Sequence, residues 1–158
     1  MTVALYLVRH AKARNRRDWN GDDRERPLTK AGVVQAEALA TRLAQTSPAR
    51  LVSSPFARCV QTLEPLAELL GLSIEIDDLL SEGGAFVEVL DMLVSVPDRT
   101  VLCSHGDVIP EVISALERRG MDIKGVPNWR KGSVWVIERD EAGRVEAFSR
   151  AEAWPPPD

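Results

Sequence analysis

Two apolar runs in this chain stop at a histidine, and the chain holds no other histidine. Met1–Val8 carries β-branched and aromatic residues and reads as a buried strand ending in Arg9-His10. Thr100–Ser104 is a continuous run of the kind that parallel sheets bury on both faces, and it leads into His105-Gly106-Asp107. A strand with such an ending delivers polar side chains to the carboxyl edge of a sheet, where open α/β sheets bind ligands. If the two strands run parallel, both imidazoles emerge at one edge. That requirement narrows the fold more than any other feature of the chain.

The segments between the two runs alternate in the same sense. Thr29 is a candidate N-cap for a helix reaching about Gln45, with Val33, Ala36, Ala40 and Leu43 along one face, ended by Ser47-Pro48. Arg50–Ser53 is a short strand. Ser54-Pro55 then reads as N-cap and first-turn proline of a helix with the stripe Phe56, Cys59, Val60, Leu63 and Leu66. Pro65 should kink that helix, and Gly71 suits its C-terminal stop. A third strand is expected over Leu72–Ile76, and a helix after Gly83-Gly84 turns Phe86, Val89, Leu90, Leu93 and Val94 inward.

After the second histidine a helix carries Val108, Ile109, Val112, Ile113 and Leu116, with Pro110 tolerated in its first turn and Gly120 closing it. Met121–Lys131 reads as a loop. Ser133–Arg139 and Arg144–Phe148 read as a hairpin about Asp140-Glu141-Ala142-Gly143, and Trp154-Pro155-Pro156-Pro157 as an extended, loosely held tail. Alternating strands and helices of this kind predict a three-layer α/β/α sandwich, with a mainly parallel central sheet and helices on both faces. One domain over 1–150 and a Pro-rich tail over 151–158 are expected.

Composition excludes several function classes. A net charge of −4 lacks the basic surplus of nucleic-acid binders. No apolar run reaches membrane-spanning length, and the start lacks the basic and small-residue marks of a signal peptide. Cys59 and Cys103 lie inside apolar segments and read as buried, reduced thiols, which fits a cytoplasmic protein. Lys12–Pro27 is dense in both charges and has no period, and a loop of that length is usually functional or mobile.

Two imidazoles with Arg9 and Arg58 at strand and helix ends suit a doubly charged oxyanion, phosphate above all. A neutral histidine can attack phosphorus, and the second can donate to the phosphoryl oxygens in the transition state. The leaving group still needs a proton, which a carboxylic acid could supply. Other chemistries fit less well. Neither cysteine has an arginine at the spacing of a cysteine-phosphatase loop, since Ile109 lies six residues after Cys103 and Pro65 six after Cys59. Cys103, His105 and Asp107 could offer metal ligands on paper, but no second cluster completes a coordination sphere.

Leu7-Val8-Arg9-His10-Ala11 resembles the first signature of the histidine phosphatase superfamily, the phosphoglycerate-mutase-like fold. Ser53-Ser54-Pro55-Phe56-Ala57-Arg58-Cys59-Val60-Gln61-Thr62 resembles its second block and Ser104-His105-Gly106 its third, while Arg26-Pro27-Leu28-Thr29-Lys30-Ala31-Gly32 looks like the usual entry to its first helix. The resemblance implies His10 as phospho-accepting nucleophile, with Arg9, Arg58 and His105 completing the phosphate pocket and no metal or organic cofactor. It implies a proton-donating acid between the second and third blocks, for which Glu82 is the candidate. Lys12 and Arg14 are candidate substrate contacts.

The short chain resembles the open-site branch, which includes SixA-type phosphohistidine phosphatases and the phosphatase domains that follow Nudix domains. The implied partner is therefore a phosphorylated protein side chain, phosphohistidine first. The alternatives are a nucleotide or small phosphate ester, or a phosphate-binding module without turnover. A mutase, which must reorient an intermediate behind a lid, fits least.

Overall fold

A computed structural model describes residues 3–141 and 143–158. Seven strands form one sheet: β1 (Val3–Arg9), β2 (Arg50–Ser53), β3 (Ile74–Ile76), β4 (Thr100–Ser104), β5 (Asp122–Lys124), β6 (Val134–Arg139) and β7 (Phe148–Trp154). Their order is β3-β2-β4-β1-β6-β7-β5. All neighbours pair in parallel except β6, which runs antiparallel to both β1 and β7. Four helices cover the sheet: α1 (Lys30–Ala44), α2 (Ala57–Leu70), α3 (Phe86–Ser95) and α4 (Ile109–Arg118).

Alternation along β1 divides the core in two. Tyr6 and Val8 pack with Leu39 and Leu43 of α1 and Leu63 and Leu66 of α2. Leu5 and Leu7 face the other way, into a cluster with Leu90 and Leu93 of α3 and Val112, Ile113 and Leu116 of α4. The result is the expected three-layer sandwich. Adjacent strands β1 and β4 send their following helices to opposite faces, so a crevice must open between their carboxyl ends. Register completes the arrangement: Arg9 pairs with Ser104, and the His10 N–H donates to the Ser104 carbonyl at 3.1 Å.

Several local expectations hold in detail. The Thr29 hydroxyl accepts from the Gly32 N–H at 3.0 Å as N-cap of α1, and Gly71 ends α2 in the left-handed region at φ 67°. Both cysteines are free and buried. Others shift. Val33 is 45% exposed, and the buried face of α1 is formed by Gly32, Ala36, Leu39, Ala40 and Leu43 instead. The helix after Ser54-Pro55 begins later, at Ala57, because the Ser54 hydroxyl accepts from the Phe56 N–H and holds a separate turn ahead of it. The third strand is shorter than 72–76, occupying only Ile74–Ile76.

The carboxyl-terminal region departs most. Met121–Lys131 is not wholly loop, because Asp122–Lys124 forms the edge strand β5 on β7. The second hairpin strand is Phe148–Trp154 rather than Arg144–Phe148, and a single 3-10 turn occupies Val145–Ala147. Of the turn and strand expected at the margins, Ala142, Met1 and Thr2 lie outside the described residues. Trp154, read as the start of a loose tail, pairs with Val134 and packs its ring 6.0 Å from Tyr6, with the Arg42 guanidinium 3.7 Å from its centre. The sheet therefore uses residues that the sequence assigned to a tail over 151–158. No helix among the described residues is long and apolar enough to cross a membrane.

Candidate active site

His10 is 5% exposed and closes β1 at the floor of the crevice. Its Nδ1 lies 2.8 Å from the Ala11 carbonyl oxygen. A carbonyl only accepts, so Nδ1 carries the ring proton and Nε2 keeps its lone pair. Burial, with His105, Arg58 and Arg9 adding repulsion, lowers the pKa of His10 to about 3 despite the Ala11 hydrogen bond. Desolvation thus outweighs the neighbouring cations in keeping this imidazole neutral.

The loop that carries His10 is clamped from α1 and α2. The Thr62 hydroxyl accepts the Ala11 N–H at 2.9 Å and donates to the Arg58 carbonyl at 2.6 Å. Gln35 accepts the Lys12 N–H, and the Lys12 carbonyl accepts from the Thr29 backbone and hydroxyl. Gly32 is required at this crossing, since a Cβ there would overlap the Lys12 carbonyl oxygen.

His105 is fully buried, its ring centre 5.5 Å from that of His10 in an edge-on arrangement. Its Nε2 lies 2.9 Å from the Ser54 hydroxyl and 3.5 Å from Cys59 Sγ. The Ser54 oxygen already accepts from Phe56 N–H, so its own proton is free to go to Nε2. In the neutral ring Nδ1 then bears the hydrogen, and Nδ1 is buried with no partner among the described residues. It is an unpaired donor in the ring that packs edge-on against His10.

Arg9 and Arg58 differ in their engagements. Arg9 Nη1 donates to the Trp129 carbonyl at 2.6 Å, while its buried Nε has no partner among the described residues. Burial lowers the Arg9 pKa, and the Asp107 carboxylate partly restores it. Arg9 lies over Gly106 so closely that a Cβ there would meet its guanidinium carbon at 2.5 Å. Arg58 is fully buried in the first turn of α2. It donates to the Asp23 carbonyl at 2.9 Å, to the Asp23 carboxylate at 3.2 Å and to Glu82 at 3.3 Å.

These side chains surround one cavity of about 710 Å³, lined by Arg9, His10, Lys12, Arg14, Arg58 and Glu82. Six of the seven residues singled out in the sequence therefore meet there, while His105 lies beneath the lining. Arg16, Arg26 and Lys131 join them without having been assigned a place, as does Asp107, which the sequence offered only as a metal ligand on paper. The charged loop is folded over this cavity through two 3-10 turns, Arg16–Asp18 and Asp23–Glu25. Asp23 receives Arg26 at 2.8 Å, Arg58 at 3.2 Å and Arg16 at 3.6 Å. Burial raises its pKa, but the Arg26 hydrogen bond and the three guanidiniums together bring it below the usual carboxylate value.

Glu82 stands at the wall as an acceptor, 3.2 Å from Arg16 and 3.3 Å from Arg58. Asp107 faces the same cavity and accepts the Gly83 N–H at 2.7 Å, which ties the Glu82 turn to the end of β4. Lys131 is held below its ordinary pKa, by burial first and then by Arg9, Arg26, Arg58 and Arg16. Cys103, His105 and Asp107 do not gather into a ligand set, and no group of three or more His, Cys, Asp or Glu residues suited to a metal occurs among the described residues.

Comparison with known proteins gives a consistent result. The model of the histidine phosphatase superfamily (branch 1) matches residues 5–89. An 8-oxo-(d)GTP phosphatase of Mycolicibacterium smegmatis is 36% identical over 152 residues, which cover 92% of this chain and 47% of that protein. A probable phosphoglycerate mutase GpmB of Shigella dysenteriae is 34% identical over 85 residues, 51% of this chain and 38% of the relative. The chain thus spans about half, or less, of the length of these relatives. Among solved structures, the putative phosphohistidine phosphatase SixA of Nakamurella multipartitia superposes with a TM-score of 0.76 at 28% identity, covering 98% of this chain and 94% of its own. A protein histidine phosphatase SixA complexed with tungstate gives 0.70 at 25% identity, covering 89% and 90%.

Proposed function

Because this chain belongs to the histidine phosphatase superfamily, we propose that it is a phosphatase working through a phosphohistidine at His10. The observation that carries this reading is the state of His10. Its Nδ1 is spent on the Ala11 carbonyl, its pKa lies near 3, and so Nε2 is an unprotonated nucleophile at neutral pH. Nε2 attacks phosphorus, the N–P bond forms as the bond to the leaving group breaks, and the leaving group takes a proton. Water then attacks the same phosphorus and the N–P bond breaks, returning neutral His10 and phosphate.

Arg9, Arg58 and the Nδ1–H of His105 hold the charge that develops on the phosphoryl oxygens. This cationic wall supplies the stabilisation within the protein, so turnover should survive a chelator. Glu82 is the proposed proton donor, a task for which it must exchange its pairing with Arg16 and Arg58 for a proton, and Asp107, on the same cavity, is the second carboxyl in position for it.

The substrate reading best supported is a nucleoside phosphate. Seven cationic side chains line the cavity against two carboxylates, more positive charge than one phosphoryl group requires, and the relative with 36% identity is named for a nucleotide. Protein phosphohistidine is the second reading, favoured by the likeness to SixA structures and by the exposed rim of Lys12, Arg14 and Arg16. Rapid quenching with γ-³²P-labelled nucleoside triphosphate and with a ³²P-labelled phosphohistidine protein tests the scheme. An acid-labile label on wild type and none on His10→Ala is expected. Turnover retained in His10→Ala would refute the phosphoenzyme, and label from the phosphoprotein alone would move the substrate to the second reading.

A further inference from the structure

A second, shallower cleft of about 400 Å³ adjoins the cavity and is lined by Arg9, Pro127, Asn128, Trp129 and Arg130. Arg9 is the wall common to both. Its Nη1 is bonded to the Trp129 carbonyl, so the position of the turn is fixed to a residue of the phosphate cavity.

Trp129 is 37% exposed, yet it is not loose. Its ring packs 4.9 Å from that of Trp135, which is 1% exposed within β6. An indole held in this way has already given up much of its side-chain freedom, so a flat ligand can stack on it at little further entropic cost. An exposed aromatic beside a polar cavity is also the composition of a small-molecule site. Next to it, the Asn128 side-chain oxygen accepts the Arg130 N–H at 3.1 Å. That bond fixes the orientation of the amide and leaves its NH₂ as donor, a match for the ring nitrogen or carbonyl acceptors on the edge of a base.

The geometry points to this cleft as a stacking site for the base of a nucleoside phosphate whose phosphoryl group faces His10. The inference rests on the nucleotide reading above and adds the residue that recognises the base. The flat ring of a phosphohistidine side chain is bonded directly to phosphorus and would stay beside His10, whereas the base of a nucleoside stands away from its phosphoryl group.

The test compares wild type, Trp129→Ala and Trp129→Phe on a nucleoside diphosphate and on ribose 5-phosphate, which has no base. Trp129→Ala keeps the backbone carbonyl that holds Arg9. Its KM for the nucleotide should rise about 5- to 150-fold, the range that base–aromatic stacking spans. Its kcat, and its kcat/KM on ribose 5-phosphate, should be unchanged, and phenylalanine should restore most of the loss. In a His10→Ala background the same nucleotide should quench tryptophan fluorescence, and the added Trp129→Ala change should weaken binding by the same factor. That binding result supports the stacking site even if no nucleotide is turned over. Equal nucleotide KM values in wild type and Trp129→Ala overturn it while leaving nucleotide hydrolysis standing. Equal losses on ribose 5-phosphate overturn it as well, because Trp129 would then act only by placing Arg9.

Discussion

Gly106→Ala separates catalysis from folding at this site. The added Cβ falls 2.5 Å from Arg9 Cζ, 2.7 Å from Nη2 and 2.8 Å from Nε. Non-bonded carbons settle at about 3.5–4.0 Å, so the guanidinium has to retreat by about 1 Å. What stands in the way is the end of a flexible side chain rather than backbone, and it is the side chain that will move. Overpacking of this kind costs about 1 kcal/mol at its lower end, a fall in Tm of about 2–4 °C for a domain of this size. The effect on rate is larger, because a displacement of about 1 Å in a positioning group costs on the order of 10²-fold. The Arg9 bond to the Trp129 carbonyl would be strained by the same movement. Steady-state kcat/KM on a simple phosphate ester, measured beside thermal unfolding, gives both numbers. Full activity in a folded Gly106→Ala protein would refute the claim that Arg9 must lie over residue 106 to act.

Gly32→Ala should show the opposite pattern, because its Cβ meets the Lys12 backbone carbonyl; stability should fall with activity, and an unchanged Tm would mean that α1 can shift freely. His10 gives a pH dependence of stability with a definite sign. Its folded pKa of about 3 lies below the ordinary 6.5, so between those values the unfolded chain binds a proton that the folded one does not. Acidification across that window should therefore cost about 1.4 kcal/mol per pH unit from this group; urea unfolding from pH 4.5 to 7.5 should show His10→Ala with a flatter profile, and parallel profiles would refute it. Ser54→Ala removes the proton that fixes the His105 tautomer and should lower kcat by about 10², whereas a rate within twofold of wild type would remove Ser54 from the site. Glu82→Gln should slow substrates with poor leaving groups more than activated ones; if Asp107→Asn does this instead, Asp107 is the donor.

The features legible in the sequence are those where a local pattern and the tertiary structure ask for the same thing. Val3–Arg9 and Thr100–Ser104 are strongly apolar and end abruptly, so both histidines could be placed at one sheet edge before any geometry was known. β5 was hidden because Ile123 is its one partly buried apolar residue in a three-residue strand. β7 alternates small Ala151 and Ala153 with Arg150 and Glu152, a weak period beside prolines that signal a tail. Ser54 does take a backbone N–H as a cap would, but its second role comes from His105, 51 residues away. The Asp23 and Arg26 pairings could not be read, since a segment dense in both signs of charge permits many matches and only the fold selects among them.

On the proposed phosphatase reading, Arg58 bears on turnover as well as on recognition. Its guanidinium already serves the carboxylates of Asp23 and Glu82, which the chain itself holds within reach. Any phosphoryl group that engages Arg58 competes with these tethered anions, whose effective concentration does not fall on dilution. The pocket consequently grips its product less firmly than its cations alone would dictate. When inorganic phosphate forms, Asp23 and Glu82 are there to take the guanidinium back, so the protein carries its own displacing ligand and the next cycle can begin.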